Sequence, residues 1–423
     1  MMDYSALDRQ KDIYLNGVAG NKPIIPTDYY SLEAAAKKIL STKAYAYLAG
    51  GAGLESTSQA NQSAWEQFMI TPRVLQSVTQ RDLNITFLNQ AYTVPFFLCP
   101  IGVLELAHPQ ADLDVARACA TTGVPMMISS QASHPMEAIV KELRSTPWYF
   151  QLYVSKSDAL VKSFVQRAEQ AGALGIVITL DTTLLGWRNR DLNLGYLPFL
   201  QGKGIAQYTS DPIFNRLVDE YQDEKTATKI NIQVIDHMLK LARKIPGDFK
   251  ANLKGRALKS VRTFTQLYSR PDLNWDVLNQ IRSYTSLPLI LKGIQHPDDA
   301  LKAHSSGMDA LYVSNHGGRQ VDGAISSLEA LINIKNAVGD TIPILFDSGV
   351  RSGAHIMKAL ACGASMVGIG RPYTYALALK GRQGVETLIK NLAAELELNM
   401  ALSGVNKATD LGPGLFQHRF GKV

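Results

Sequence analysis

From Val94 onward the chain alternates short apolar runs with helical segments, eight times over. The apolar runs are Val94–Pro100, Val124–Ser130, Trp148–Val154, Leu174–Asp181, Leu287–Gly293, Asp309–Asn315, Ile342–Gly349 and Ala364–Arg371. The segments with helical spacing are Ala111–Gly123, His134–Ser145, Asp158–Gly172, Asn274–Thr285, Pro297–Gly307, Ser327–Val338, Gly353–Gly363 and a long tail after Arg371. The runs are near-continuously apolar rather than alternating, as parallel strands covered on both faces must be. The pattern predicts an α/β fold, a closed (β/α)8 TIM barrel. An open doubly wound sheet is the rival, but no glycine-rich fingerprint follows the first strand.

Everything before the barrel reads as accessory. Residues 1–27 look like an irregular arm, Tyr30–Leu48 like one helix stopped by the glycines of Ala49–Gly53, Ser56–Phe68 like a second helix, and 82–94 like a hairpin closing the barrel bottom. Residues 1–93 are thus expected to be an N-terminal arm, helices and hairpin, and 94–423 the barrel, within a single domain. Between the fourth strand and its helix lies an insertion, residues 182–272, with a helix expected at Asn231–Lys244. A segment this long inside a compact fold reads as a lid.

The net charge is +6, but residues 216–262 alone hold 11 Lys and Arg against 6 Asp and Glu. So the excess sits in the insertion, without interleaved stacking aromatics. That suits a solvated flap better than a nucleic-acid groove. Cys99, Cys119 and Cys362 form no CxxC and lie in apolar surroundings, which suits reduced thiols in the cytoplasm. No signal-peptide pattern or apolar run of membrane-spanning length is present, so no membrane role is expected, and no metal-ligand spacing was found.

In such a barrel the chemistry sits at the C-terminal ends of the strands. Those ends carry Pro100-Ile101-Gly102, Ser129-Ser130, Gln151 with Tyr153, Thr179 with Asp181, Lys292, Ser314-Asn315-His316, Asp347-Ser348-Gly349 with Arg351, and Gly370-Arg371. The sixth end opens Ser314-Asn315-His316-Gly317-Gly318-Arg319-Gln320, which alone could be a solvated polar loop. On a shared rim it offers a proton acceptor, His316, and a carboxylate ligand, Arg319. Gly349, Arg351, Gly370 and Arg371, with helix N-termini behind them, suit a phosphate. Lys292 suits negative charge on a reduced ring, and Ser130, Gln151 and Thr179 suit the edge of a flat heterocycle. Together these point to flavin mononucleotide across the barrel mouth.

These residues, with Phe150-Gln151-Leu152-Tyr153, Leu291-Lys292-Gly293 and Asp347-Ser348-Gly349-Val350-Arg351, resemble the FMN-dependent L-2-hydroxy-acid oxidase and dehydrogenase family from about Tyr30 to Gly404. Gly186-Trp187-Arg188-Asn189-Arg190-Asp191-Leu192 and Tyr208–Phe214 are similar to its lactate 2-monooxygenase branch, beside the lactate oxidases. The resemblance implies FMN as cofactor and a small 2-hydroxy acid with O2 as substrates. It implies His316 as base with Asp181 as its partner, Arg188 and Arg319 as the carboxylate clamp, and Tyr47 and Tyr153 as hydroxyls that bond substrate. It also implies Lys292 beside flavin N1 and O2, and Ser130, Gln151, Thr179 and Ser314 as ring contacts. Asp347, Arg351, Gly370 and Arg371 would hold the ribityl phosphate, with Pro100, Ile101 and Gly102 against the flavin. Gly102, where other branches often have Ala, would leave room above the ring, or merely serve a tight turn.

The first expectation is lactate 2-monooxygenase chemistry, giving acetate, carbon dioxide and water. Lactate oxidase, which releases pyruvate and hydrogen peroxide, and a dehydrogenase using another acceptor are the alternatives, and a non-catalytic flavin-binding barrel is the rival from another class. The resemblance also implies a homotetramer or homo-octamer.

Overall fold

Eight short strands close on themselves in a computed structural model that describes residues 5–222 and 232–418. They are β1 (Phe96–Leu98), β2 (Met126–Ser129), β3 (Trp148–Tyr153), β4 (Ile176–Thr179), β5 (Leu289–Ile294), β6 (Ala310–Val313), β7 (Ile344–Phe346) and β8 (Met366–Ile369). Every neighbouring pair is parallel, and β8 returns to pair with β1. All strand residues but Gly293 are buried, which is why the apolar runs do not alternate. The eight helices are α1 (Ala111–Thr122), α2 (Met136–Leu143), α3 (Asp158–Gln170), α4 (Trp275–Arg282), α5 (Pro297–Ser305), α6 (Ser327–Val338), α7 (Gly353–Ala361) and α8 (Arg371–Leu402). The fold is the expected (β/α)8 TIM barrel.

Two irregularities matter for the site. In β5 the register shifts between Lys292 and Ile294 around Gly293, whose φ is 104°. A Cβ on Gly293 would lie 2.8 Å from the Asp181 Cβ, so the bulge makes room for that carboxylate. α8 breaks at Lys380 and Gly381. There the Asp114 carboxylate of α1 accepts the Arg382 N–H at 3.1 Å and caps the second half.

The expectations for the N-terminal region need correction. The arm contains a helix, Ala6–Val18, capped by Ser5 and tied to α8 through Ala6 N–H to Glu397 Oε2 at 2.6 Å. Tyr30–Leu48 is two helices, Tyr29–Ile39 and Thr42–Ala49, because the Ser41 hydroxyl caps Ala44 N–H and restarts the chain. Ser56–Ser63 is helical, but Ala64–Gln67 tightens into a 3-10 turn and Phe68–Ile70 pairs antiparallel with Phe416–His418. The hairpin appears as Ile85–Phe87 with Gln90–Tyr92, its Tyr92 hydroxyl 2.7 Å from that of Tyr149 at the start of β3.

The insertion differs most from expectation. Asn231 lies outside the described residues, and the helix there is Ile232–Lys244. The described part is a packed helical layer rather than a solvated flap. Phe199, Tyr208, Phe214 and Phe264 are buried in it, with ring centroids 4.8–5.6 Å apart in successive pairs. The described basic residues of this stretch are half-buried or exposed, on the outside of a folded unit. Asp211 pins it to the barrel: wholly buried, it accepts Arg167 Nη1 at 3.0 Å, Ser163 Oγ at 2.7 Å and two N–H groups of its own helix, Pro212–Glu220. Among the described residues no helix is long and apolar enough to cross a membrane.

Replacing Asp211 by Ala removes a helix cap and one of the two carboxylates on Arg167, which keeps Glu137 at 3.0 Å. Loss of the cap costs about 0.5–2 kcal/mol and the buried hydrogen bonds about 1–3 kcal/mol more, so the midpoint of urea unfolding should drop clearly against wild type. A midpoint within experimental error of wild type would show that the layer is not held there.

Candidate active site

β6 ends at Val313, and the chain then enters three successive left-handed residues: His316 (φ 58°), Gly317 (67°) and Gly318 (74°). A histidine bears this conformation only where surrounding bonds fix it. Ser314 Oγ accepts the His316 N–H at 3.0 Å, Ser348 Oγ that of Gly317 at 3.0 Å, and Asn315 Oδ1 that of Gly318 at 3.2 Å. The glycines are obligatory for space as well as for φ. A Cβ would lie 2.9 Å from Arg371 Nη1 at position 317 and 2.6 Å from Ser58 N at position 318.

The turn sets the His316 ring between two partners. Nδ1 lies 3.0 Å from Asp181 Oδ1 and Nε2 lies 3.3 Å from the Tyr153 hydroxyl. Burial pushes Asp181 up, but His316 and Lys292 outweigh it and the carboxyl is held below its ordinary value. The carboxylate therefore accepts the Nδ1 proton and leaves Nε2 as the basic nitrogen. Burial pushes His316 below its ordinary 6.5, only partly opposed by Asp181, so the imidazole is neutral at pH 7. Thr182, adjacent to Asp181, donates to the same carboxylate oxygen at 3.1 Å.

Across the cavity stand two arginines. Arg188 is buried and donates from Nη2 to Gln320 Oε1 at 3.1 Å and from Nε to the Arg319 carbonyl at 3.3 Å. Arg319 donates from Nη1 to the carbonyls of Tyr47 and Gly50, at 2.6 and 2.8 Å, with its guanidinium 5.0 Å above the Tyr47 ring. These bonds go only to neutral oxygens. Burial, and then the neighbouring Arg188, push Arg319 from 12.5 down to about 9. It stays charged at pH 7, and the pair, which makes no ion pair within 4 Å among the described residues, is a cationic site suited to a carboxylate.

A third group lies under the cavity floor. Lys292 Nζ donates to Ser314 Oγ at 2.9 Å and lies 3.7 Å from Asp347 Oδ2. Asp347 also accepts the hydroxyls of Tyr312, Ser314 and Ser348 at 2.8, 2.5 and 2.7 Å. Burial opposes the charge of Lys292, but Asp347 and Asp181 hold its pKa above the ordinary value.

At one end, Gly349, Arg351, Gly370 and Arg371 line the same cavity, beside the first turns of α7 and α8. Arg371 donates to the carbonyls of Gly317 at 3.0 Å and Gly50 at 2.9 Å, and Arg351 to that of Val350 at 2.9 Å. The Nε–H groups of both are buried without a partner. Two buried, unanswered donors beside two helix N-termini fit a phosphate. FMN fits the whole row: a phosphate end, a floor with a lysine, and one cavity that joins them.

Of the residues singled out in the sequence, Tyr47, Pro100, Ile101, Gly102, Tyr153, Arg188, Lys292, His316, Arg319, Asp347, Gly349, Arg351, Gly370 and Arg371 line this one cavity. Ser130, Gln151, Thr179, Asp181 and Ser314 do not. Gln151 spans β2 to β4, accepting the Ser129 hydroxyl and donating to Thr179 Oγ1, both at 2.8 Å, and Ser130 Oγ accepts the Tyr153 N–H at 3.1 Å. At Gly102 a Cβ would lie 3.0 Å from that of Gln131, which would have to shift by a few tenths of an ångström to admit it. Sequence reasoning missed Gln131, one residue beyond the β2 end that it had marked. It also missed Phe199 and Tyr268, which the insertion brings to the cavity wall and for which the sequence carries no signal.

The sequence pattern of FMN-dependent dehydrogenases matches residues 36–418. The FMN-dependent alpha-hydroxy acid dehydrogenase qulF of Penicillium citrinum is 38% identical over 402 residues, covering 95% of this chain and 93% of that protein. The L-lactate oxidase of Lysinibacillus sphaericus (strain C3-41) is 35% identical over 401 residues, 95% of each chain. Among solved structures, a flavocytochrome b2 with sulfite bound superposes with a TM-score of 0.75 at 28% identity, covering 94% of this chain and 88% of that one. A mandelate oxidase does so at 0.74 and 30%, covering 94% and 100%. With its barrel, its cavity and these relatives in agreement, the chain belongs to the FMN-dependent dehydrogenase family and is an FMN-dependent 2-hydroxy-acid oxidoreductase.

Proposed function

We propose that the substrate is a small L-2-hydroxy acid, L-lactate first, and that the enzyme is a lactate 2-monooxygenase converting it with O2 to acetate, carbon dioxide and water. The observation that carries this reading is the insertion wall. Phe199 and Tyr268 stand with Tyr47 and Leu185 around the arginine pair. An aromatic wall supplied by the insertion favours keeping pyruvate until it is decarboxylated. The second reading, an L-lactate oxidase releasing pyruvate and hydrogen peroxide, is favoured by the name of the Lysinibacillus relative. The proposed assembly is a homotetramer or homo-octamer.

In this reading Arg188 and Arg319 bind the carboxylate and leave the 2-hydroxyl toward His316. Tyr153, 3.3 Å from Nε2, and Tyr47 hold that hydroxyl. His316 Nε2 takes one proton as the hydroxyl carbon becomes a carbonyl, and the Asp181 carboxylate stabilises the imidazolium so formed. FMN, when bound, accepts the two electrons. Lys292 offers a positive charge to it from the floor, and Arg351 and Arg371 bind its phosphate. Uncharged alcohols are rejected because they would leave two buried guanidiniums unanswered.

Lactate turned over by the purified protein should give acetate in equal amount, with little hydrogen peroxide. Peroxide matching lactate consumed, with pyruvate and no acetate, would replace the first reading with the second. His316→Ala should keep bound flavin yet slow its anaerobic reduction by lactate by roughly 10²–10⁴-fold, the usual worth of a positioned base. Reduction at the wild-type rate would remove His316 from that role. The base works unprotonated, so reduction should be flat through neutral pH and fall only below the ordinary imidazole value of 6.5. Asp181 raises the His316 pKa, so Asp181→Asn should move that acid limb to lower pH while lowering the plateau. An acid limb above 6.5 in the wild type would contradict the assignment.

A further inference from the structure

The phosphate end of the cavity has a second layer that belongs to neither the barrel nor the insertion. Helix Tyr29–Ile39 lies along α8, and its first residue places an aromatic ring under Arg351, with the guanidinium 4.5 Å from the ring centroid. The same ring lies 6.1 Å from that of Tyr375, four residues after Arg371 on α8. One turn further on, Glu33 Oε1 accepts the hydroxyls of Tyr45 at 3.0 Å and Tyr375 at 3.1 Å. The two phosphate-end arginines are thus backed by one aromatic pair and one carboxylate.

The consequences for Arg351 are specific. Among the described residues the only hydrogen bond of its guanidinium is from Nη1 to the carbonyl of Val350, next to it in the chain, and its Nε is buried without a partner. No carboxylate forms an ion pair with it among the described residues. The Tyr29 ring face is what holds this cation level, through its π electrons, without consuming an N–H that a phosphate could use. A carboxylate in the same place would hold the arginine as well but would compete with the phosphate for it. Glu33 forms no ion pair with Arg351 among the described residues, and its Oε1 is engaged by the two hydroxyls.

We propose that Tyr29 is a positioning residue for the phosphate of FMN, acting through its ring face on Arg351, so that helix Tyr29–Ile39 is part of the cofactor site. This rests on the assignment of Arg351 and Arg371 to the phosphate. The role is confined to the phosphate and does not extend to the ring system. The phosphate-free analogue riboflavin therefore separates it from any general weakening of the fold.

The test is titration of the full-length, flavin-stripped protein with FMN and with riboflavin, followed by flavin fluorescence. Tyr29→Phe, which keeps the ring, should match wild type for both. Tyr29→Ala and Tyr29→Leu should weaken FMN by about tenfold, an intermediate value for a cation–π contact, and leave riboflavin unchanged. The leucine variant keeps apolar bulk under Arg351, and it decides the matter if the alanine variant does not fold. Equal weakening of FMN and riboflavin, or unchanged FMN binding, would overturn the role of Tyr29. Wild-type protein that binds riboflavin as tightly as FMN would overturn the phosphate assignment, and this inference with it.

Discussion

The left-handed turn at His316–Gly318 is where the two ends of the cavity are joined. For an L-residue this conformation costs roughly 1–2 kcal/mol, and His316 bears it under bonds from Ser314 and Ser348. Because Gly317 has no Cβ, Arg371 reaches across to the Gly317 carbonyl at 3.0 Å. The residue that carries the imidazole and the residue at the phosphate end are therefore two parts of one hydrogen-bonded unit. Reciprocal amide bonds between Asn61 and Asn315, at 2.8 and 2.7 Å, fix the same turn from outside the barrel. A change in any of these contacts reaches the base through the backbone rather than through space.

Charge is sorted with equal consistency. The cations Arg188, Lys292, Arg319, Arg351 and Arg371 all line the cavity, while Asp181 stands behind the imidazole and Asp347 is loaded with three hydroxyls. Asp191 is buried near Arg188 and Arg319, and burial raises its pKa against their pull. A cavity walled by cations whose carboxylates are engaged elsewhere attracts anions at both ends. That arrangement suits a substrate and a cofactor which each bring a negative group.

Much of this was legible in the chain. All eight strands were, because a strand covered on both faces leaves an uninterrupted apolar run. Their ends were overdrawn, as with Asp309–Asn315 for Ala310–Val313, because polar residues at the rim continue extended after pairing stops. The rim itself followed from barrel geometry, and so did the residues on it. What could not be read was which rim residues face inward. Gln151 and Thr179 bond each other across β3 and β4, and one-dimensional spacing does not reveal that. Tyr268 reaches the cavity only because Asp211 and the aromatic stack dock the insertion. The split between Ile39 and Thr42 depended on one capping hydroxyl, which competes with helical continuity by a small margin.

The break in α8 has a mechanical meaning. A continuous helix passes axial strain along its ladder of hydrogen bonds, and at Lys380–Gly381 that ladder is interrupted. The half that begins at Arg371 answers to the phosphate end, and the half that contains Glu397 answers to helix Ala6–Val18 and to Arg81. Asp114 anchors the junction to the barrel wall. A pull on the N-terminal helix therefore meets the joint and its bond to α1 before the arginine at the cavity.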